Sequence, residues 1–318
     1  MNRRDFFEKG MLAGTAAAGV AAGAGRLSAP AATNVAKKPY QGGMSPWPIC
    51  LDTATIRPAE GLREKVRIAD EADYDAIEPW MRDLEAYEKR GGDLKEMGRE
   101  IRDRGLFVPS VIGLWGAIPT RREAFEKALD ENRERMRRAA EVGAEHVQTI
   151  PAGEGDMDLG WAAEAYREIL EVGLEEYGVN PAMVFVEMFT IKRLSQAAAI
   201  AIDANHPAAK IIPDVFHMYI GNSGFEGLRH LRGDFFAIFQ FNDAPAEPAR
   251  EELTDEHRVF PGDGILPLTD VLKDLQATGY DGCVSLELYN PDYWERDPMQ
   301  VAKTGLRKTV AVIDEAVG

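Results

Sequence analysis

From Trp47 onward, short apolar runs rich in β-formers alternate with longer segments whose apolar residues recur every three or four positions. The short runs predict strands over residues 49–53, 76–79, 107–112, 146–150, 183–187, 210–214, 236–241 and 283–288. The longer segments predict helices over 61–72, 93–104, 121–142, 158–177, 195–204, 266–278 and 298–317, with the weakest helical signal near 225–231. Near-continuous apolar strands alternating with helices mean a parallel sheet covered on both faces. Eight such units favour closure into a single-domain α/β fold, a (β/α)8 TIM barrel over residues 44–318. No Gly-x-Gly-x-x-Gly follows the first strand, which speaks against a dinucleotide-binding sheet.

The first 43 residues do not share this rhythm. Arg3 and Arg4 stand before Asp5-Phe6-Phe7, followed by a Gly/Ala-rich stretch and an Ala29-Pro30-Ala31 cleavage pattern. This segment resembles a twin-arginine signal peptide over 1–31, with a linker over 32–43. The resemblance implies the twin-arginine export machinery as a partner and a periplasmic or otherwise exported destination. The apolar run is too short and too rich in glycine for a permanent membrane anchor. The chain carries 53 acidic and 37 basic residues, a formal charge of −16, which argues against nucleic acid as a partner. Its two cysteines, Cys50 and Cys283, exclude a thiolate zinc site; they read as buried thiols, with a disulfide as the alternative in an exported protein.

Barrels of this kind do their chemistry at the C-terminal ends of the strands, so the polar residue ending each apolar run is informative. The fifth run ends in Glu187, the sixth in Asp214 with His217 three residues on, the seventh in Gln240 and the eighth in Glu287. A lone carboxylate at a strand end is commonly a loop cap or ion-pair member. Four consecutive oxygen-bearing ends, however, converge on one mouth, where the carboxylates repel one another and call for a cation. Oxygen donors without thiolate suit Mn2+ or Mg2+. Glu78, after the second run, is a candidate for substrate hydroxyls, against a loop salt bridge. Trp115, beyond the third, is a candidate wall for a sugar face, against a packed rim aromatic.

Glu187, Asp214-x-x-His217, Gln240, Arg258 with Pro261-Gly262-Asp263-Gly264, and Glu287 together resemble the xylose-isomerase-like sugar isomerase/epimerase superfamily over nearly the whole chain after the leader. The resemblance implies one divalent metal ion on Glu187, Asp214, Gln240 and Glu287, with Zn2+ or Co2+ as alternatives to Mn2+ or Mg2+. It also implies that His217 and Arg258 hold substrate oxygens, that Glu187 and Glu287 shuttle a proton as the catalytic pair, and that two barrels pair as a homodimer. Gln240 stands where epimerases of the superfamily usually carry histidine, and so resembles the hydroxypyruvate isomerase and dehydroshikimate dehydratase branches. The expected substrate is an unphosphorylated sugar, hydroxyketone, polyol or related acid, isomerised or epimerised through an enediolate. A dehydratase on the same site is the alternative. DNA-repair endonucleases of the related group carry histidines after the second and third strands, where this chain has Glu78-Pro79-Trp80 and Gly113-Leu114-Trp115, and a non-catalytic sugar-binding barrel would have no use for clustered carboxylates.

Overall fold

The computed structural model describes residues 40–318; the signal peptide and most of the linker read from the sequence lie outside the described residues. Residues 40–43, read from the sequence as linker, pack on the barrel: Gln41 Nε2 donates to Asp75 Oδ2 at 3.0 Å.

The chain alternates strictly from β1 to β8. Strand β1 (Ile49–Asp52) leads to α1 (Gly61–Glu71), β2 (Ala76–Glu78) to α2 (Met81–Lys89) and α3 (Leu94–Asp103), and β3 (Val108–Ile118) to α4 (Arg122–Val142). Then come β4 (Ala144–Pro151), α5 (Leu159–Val172), β5 (Asn180–Val184), α6 (Leu194–Asp203), β6 (Ile211–Ile212) and the short α7 (Val215–Ile220). Strands β7 (Phe239–Phe241) and β8 (Val284–Leu286) flank α8 (Leu268–Ala277), and α9 (Pro291–Trp294) and α10 (Pro298–Val317) close the chain.

All ladders are parallel. They run β2-β1-β8-β7 and β3-β4-β5-β6. Bridges Ala76–Phe107 and Trp80–Ile112 join β2 to β3, and Ile211–Phe236 and Asp214–Gln240 join β6 to β7, so the ring closes. The (β/α)8 barrel expected from the apolar pattern is thus the observed fold.

Local chemistry accounts for the helix starts. Asp93, Asp158 and Asp297 accept hydrogen bonds from the backbone N–H three residues on, capping α3, α5 and α10. The charged run on α4 faces outward, with Arg137 and Arg138 each 2.8 Å from Glu88 on α2. Partly exposed pairs of this kind contribute at most about 1 kcal/mol each.

Several elements depart from the sequence pattern, among them the short α7 and α9, for which no helix is predicted. Helix α2 is additional, because only its Met81 and Leu84 are buried and its apolar signal is faint. The helix expected near 225–231 is one tight turn, Leu228–His230. Strand β3 continues to Ile118 through two register shifts, carrying Trp115 within it rather than beyond it.

Strand alternation separates two cores. Ile49, Leu51, Ile77, Phe239, Phe241, Val284 and Leu286 point outward beneath the helices, each fully buried. Cys50, Ala76, Ile150, Ile238 and Cys283 fill the barrel interior. Both cysteines are free and buried, so the thiol reading holds. Towards the C-terminal ends the buried residues of the same strands turn polar: Asp52, Glu78, Gln148, Gln240, Ser285 and Glu287.

Candidate active site

The mouth opens on about 570 Å3 of empty space that is continuous with solvent. Gln148, Gln240, His217, Arg258 and Glu287 supply its polar lining; Trp80, Trp115, Phe189 and Tyr289 supply aromatic walls.

Arg258 organises the polar floor. Its guanidinium is almost fully buried, and Nη1 lies 2.7 Å from both Asp214 Oδ2 and Glu287 Oε2. Nη2 donates to His217 Nε2 at 2.9 Å and to Asp255 Oδ1 at 2.7 Å. Accepting at Nε2 puts the His217 proton on Nδ1, which is buried without a partner. Burial lowers the imidazole's affinity for a proton, against the pull of Asp255 and Asp214, so the ring is neutral.

Asp214 is placed by backbone geometry. It lies two residues beyond β6, caps α7 by accepting from the His217 N–H at 3.0 Å, and bridges to Gln240 on the next strand. Glu287 follows β8, with its N–H directed at the Phe241 carbonyl of β7 at 3.3 Å. The parallel register therefore sets Asp214, Gln240 and Glu287 side by side on three neighbouring strands.

Asp243 fixes the approach of Arg258. Its two oxygens accept from the N–H groups of Ala244, Gly262, Gly264 and Leu266 at 2.8–3.1 Å. Gly262 takes a left-handed φ of +83°, and a side chain at Gly264 would collide with the Ala244 carbonyl. The Pro261-Gly262-Asp263-Gly264 motif is thus a tight loop wrapped on a buried carboxylate, with Arg258 at its root.

The site is short of positive charge. Burial pushes the Glu287 carboxyl up to about 8 despite Arg258, and Tyr289 holds its other oxygen at 2.6 Å. Burial raises Asp52 well above the usual carboxylate range, reinforced by Glu287 and Glu78. Glu78 is raised for the same first reason. Asp214 and Asp255 stay below their ordinary value: burial is outweighed by Arg258 and His217, and at Asp214 also by the capping N–H.

The sequence-derived candidates divide accordingly. Asp214, Gln240, Glu287, His217 and Arg258 are brought together. Trp115, 37% exposed, lines the cavity with its ring 5.4 Å from that of Trp80. Glu187 is not brought into the cluster: its side chain is 43% exposed on the turn after β5, 3.7 Å from Lys192 Nζ. Among the described residues no three Asp, Glu, His or Cys side chains are arranged to hold a metal ion between them. Glu78 is corrected from substrate contact to support. It is fully buried and, rather than pairing with a cation, accepts from Gln148 Nε2 and Ser285 Oγ at 2.8 Å each.

Asp52 and Tyr289, like Gln148 and Asp255, escaped the sequence reading. Asp52 ends the apolar run of β1, so the rule that found Glu287 applies to it; its Oδ2 is buried without a partner. Tyr289 lies two residues beyond Glu287 and carries no strand-end signal.

Donor chemistry and charge fit a divalent cation. Asp214, Gln240 and Glu287 offer oxygen on adjacent strands, and the buried carboxyls lack countercharge. In the described arrangement the Arg258 guanidinium takes the point between Asp214 and Glu287.

Residues 66–312 match the model of the xylose isomerase-like TIM barrel family. The chain belongs to this family. Its relatives include the inosose isomerase of Bacillus velezensis, 24% identical over 274 residues, which are 84% of this chain and 97% of that protein. The 3-dehydroshikimate dehydratase of Pseudomonas putida is 26% identical over 259 residues, 80% of this chain but 40% of that protein. Among solved structures, the IOLI protein with a bound zinc atom superposes with a TM-score of 0.78 at 24% identity, covering 85% of this chain and 99% of that one. At that identity the structural likeness speaks for the shared barrel.

Proposed function

We propose that this xylose isomerase-like barrel is a divalent-metal-dependent isomerase or epimerase of an unphosphorylated polyhydroxy ketone. The observation that carries the reading is the convergence of Gln240, Glu287, His217 and Arg258 on the floor of one aromatic-walled cavity, with Asp214 behind them. A full-length relative that isomerises an inosose supports a ring-shaped keto-polyol as the substrate class.

Asp214, Gln240 and Glu287 would hold the ion, with Glu187 joining when its turn swings inward. A bound divalent ion supplies Lewis acidity to a substrate carbonyl. The protein's own groups do the rest. Trp80, Trp115 and Tyr289 pack the C–H faces of the ring and exclude water. Glu287 takes the proton from the carbon beside the carbonyl, and Arg258 presents positive charge to the enediolate oxygen. Glu187 sits between Val186 and Met188, both of which line the cavity, and returns a proton to the opposite face for epimerisation. Return to the neighbouring carbon gives isomerisation.

The test is incubation with keto-inositols and free ketoses in D2O with added Mn2+. Solvent deuterium should enter a product of unchanged formula. Glu287→Gln should lower turnover about 10²–10⁴-fold with the fold retained. Unchanged turnover in that variant contradicts the assignment.

Gln240 and the Pseudomonas relative favour a second reading, dehydration of a keto-polyol acid on the same floor. That reaction is recognised in the same incubation by a new absorbing enone and loss of water.

Export is part of the proposal. Arg3→Lys with Arg4→Lys should leave the protein in the cytoplasmic fraction, whereas the parent is found outside it. Unchanged fractionation contradicts the signal-peptide reading.

A further inference from the structure

Beside the central cavity lies a second one of about 700 Å3, which shares Met188, Asp255 and Tyr289 with it. Arg57 lines this second space from the loop after β1. Three aromatic rings cage its guanidinium: Trp294 at 4.1 Å, and Trp80 and Tyr289 at 5.6 Å each. Two of those rings, Trp80 and Tyr289, also wall the central cavity. The Arg57 side chain makes no hydrogen bond or ion pair among the described residues, and its Nε is buried without a partner. Arg82, likewise unpaired, stacks on the same Trp80 ring at 4.4 Å.

Two unneutralised guanidinium groups against one indole are out of keeping with this chain. Acids outnumber bases by 16, and most arginines on its helices have found a carboxylate. Aromatic faces stabilise a cation without satisfying its N–H donors. The acids nearest this space do not neutralise it. Asp255 is committed to Arg258 at 2.7 Å, and Glu256 is exposed on the outer rim. Burial, then Arg82, lower the proton affinity of Arg57, against the pull of Tyr289, Asp52 and Asp83, none of which reaches its guanidinium with a hydrogen bond.

We propose that Arg57, assisted by Arg82, is the anchor for a carboxylate on the substrate, so that the polyhydroxy ketone acted on at the central floor is an acid. A planar guanidinium presents paired N–H donors that match a carboxylate. The aromatic cage holds that fork still, so little side-chain freedom is lost on binding. The polyol ring would lie on the central floor against the wall formed by the touching Trp80 and Tyr289 rings, their centroids 5.6 Å apart, while its carboxylate reaches past Met188 and Asp255 into the second space. This inference rests on the central cavity being a polyol site and narrows its substrate class.

Two ring polyols that differ in the acid group serve as probes: quinate, which carries a carboxylate, and myo-inositol, which does not. Titration calorimetry on the full protein supplied with Mn2+ should show quinate binding about tenfold tighter, equivalent to about 1.4 kcal/mol. Arg57→Gln should abolish that preference while leaving myo-inositol affinity in place, and Arg57→Lys should retain part of it. Equal affinity of the two probes for the parent protein overturns the carboxylate anchor and leaves the polyol site standing. A quinate preference that survives Arg57→Gln also overturns it. An equal loss of both probes in Arg57→Gln and Arg57→Lys assigns Arg57 to holding the aromatic wall and overturns the proposal. Binding of neither probe to the parent protein overturns both the anchor and the polyol reading.

Discussion

Arg258 is the residue on which the floor depends, because one buried cation serves Asp214, Glu287, Asp255 and His217 together. Removing one partner from a buried ionic cluster leaves uncompensated charge, at a cost of about 3–5 kcal/mol. Arg258→Gln should therefore lower stability in urea by roughly that amount at neutral pH. Added Mn2+ should restore part of the loss, since a divalent ion can serve the same two carboxylates. A variant as stable as the parent, or indifferent to Mn2+, contradicts the account of the cluster. Glu78 teaches a different lesson at this scale. A carboxylate at a strand end can serve the site from beneath, here by fixing Gln148 and Ser285, and only coordinates distinguish that from contact with substrate.

Among the elements, the loop after β7 positions the chemistry. Asp243 gathers four backbone N–H groups, and those of Ala244 and Leu266 would otherwise be buried unpaired. Asp243→Ala should cost at least about 2–3 kcal/mol and lower turnover through displacement of Arg258, because a single lost partner costs about 1–3 kcal/mol. Denaturation and kinetics on one preparation check this; a stable, fully active variant contradicts it. The strands were legible because inward and outward positions alternate, and the residues ending β6, β7 and β8 stood out as oxygen donors after apolar runs. Asp52 ends β1 by the same rule, but β1 and β8 stand at opposite ends of the sequence, and only closure of the ring sets Asp52 beside Glu287. Strand β3 was cut short at Ile112 because Gly113 and Gly116 depress strand propensity. Gly113 is needed there, as a side chain would strike Met81. The orientation of Glu187 was not legible at all. Its place after β5 is encoded by the apolar run, but the turn that directs it to Lys192 depends on contacts such as the Val186 N–H with the Ile191 carbonyl.

Across the whole molecule, closure of the ring brings β1, β2 and β8 beside one another, and with them Asp52, Glu78 and Glu287. Such a concentration of buried carboxyls around one arginine is costly for a fold whose net stability is only about 5–15 kcal/mol. It is the arrangement expected of a site that gains a cation and an oxygen-rich ligand. The central claim is that Asp214, Gln240 and Glu287 share that ion and that proton transfer occurs beside it. Crystals soaked in Mn2+, with diffraction recorded at the manganese edge, test this most directly. The account predicts a single anomalous peak among those three side chains, with Glu187 turned towards it and Arg258 withdrawn from between Asp214 and Glu287. No peak at the mouth, or one held only by surface carboxylates, contradicts it.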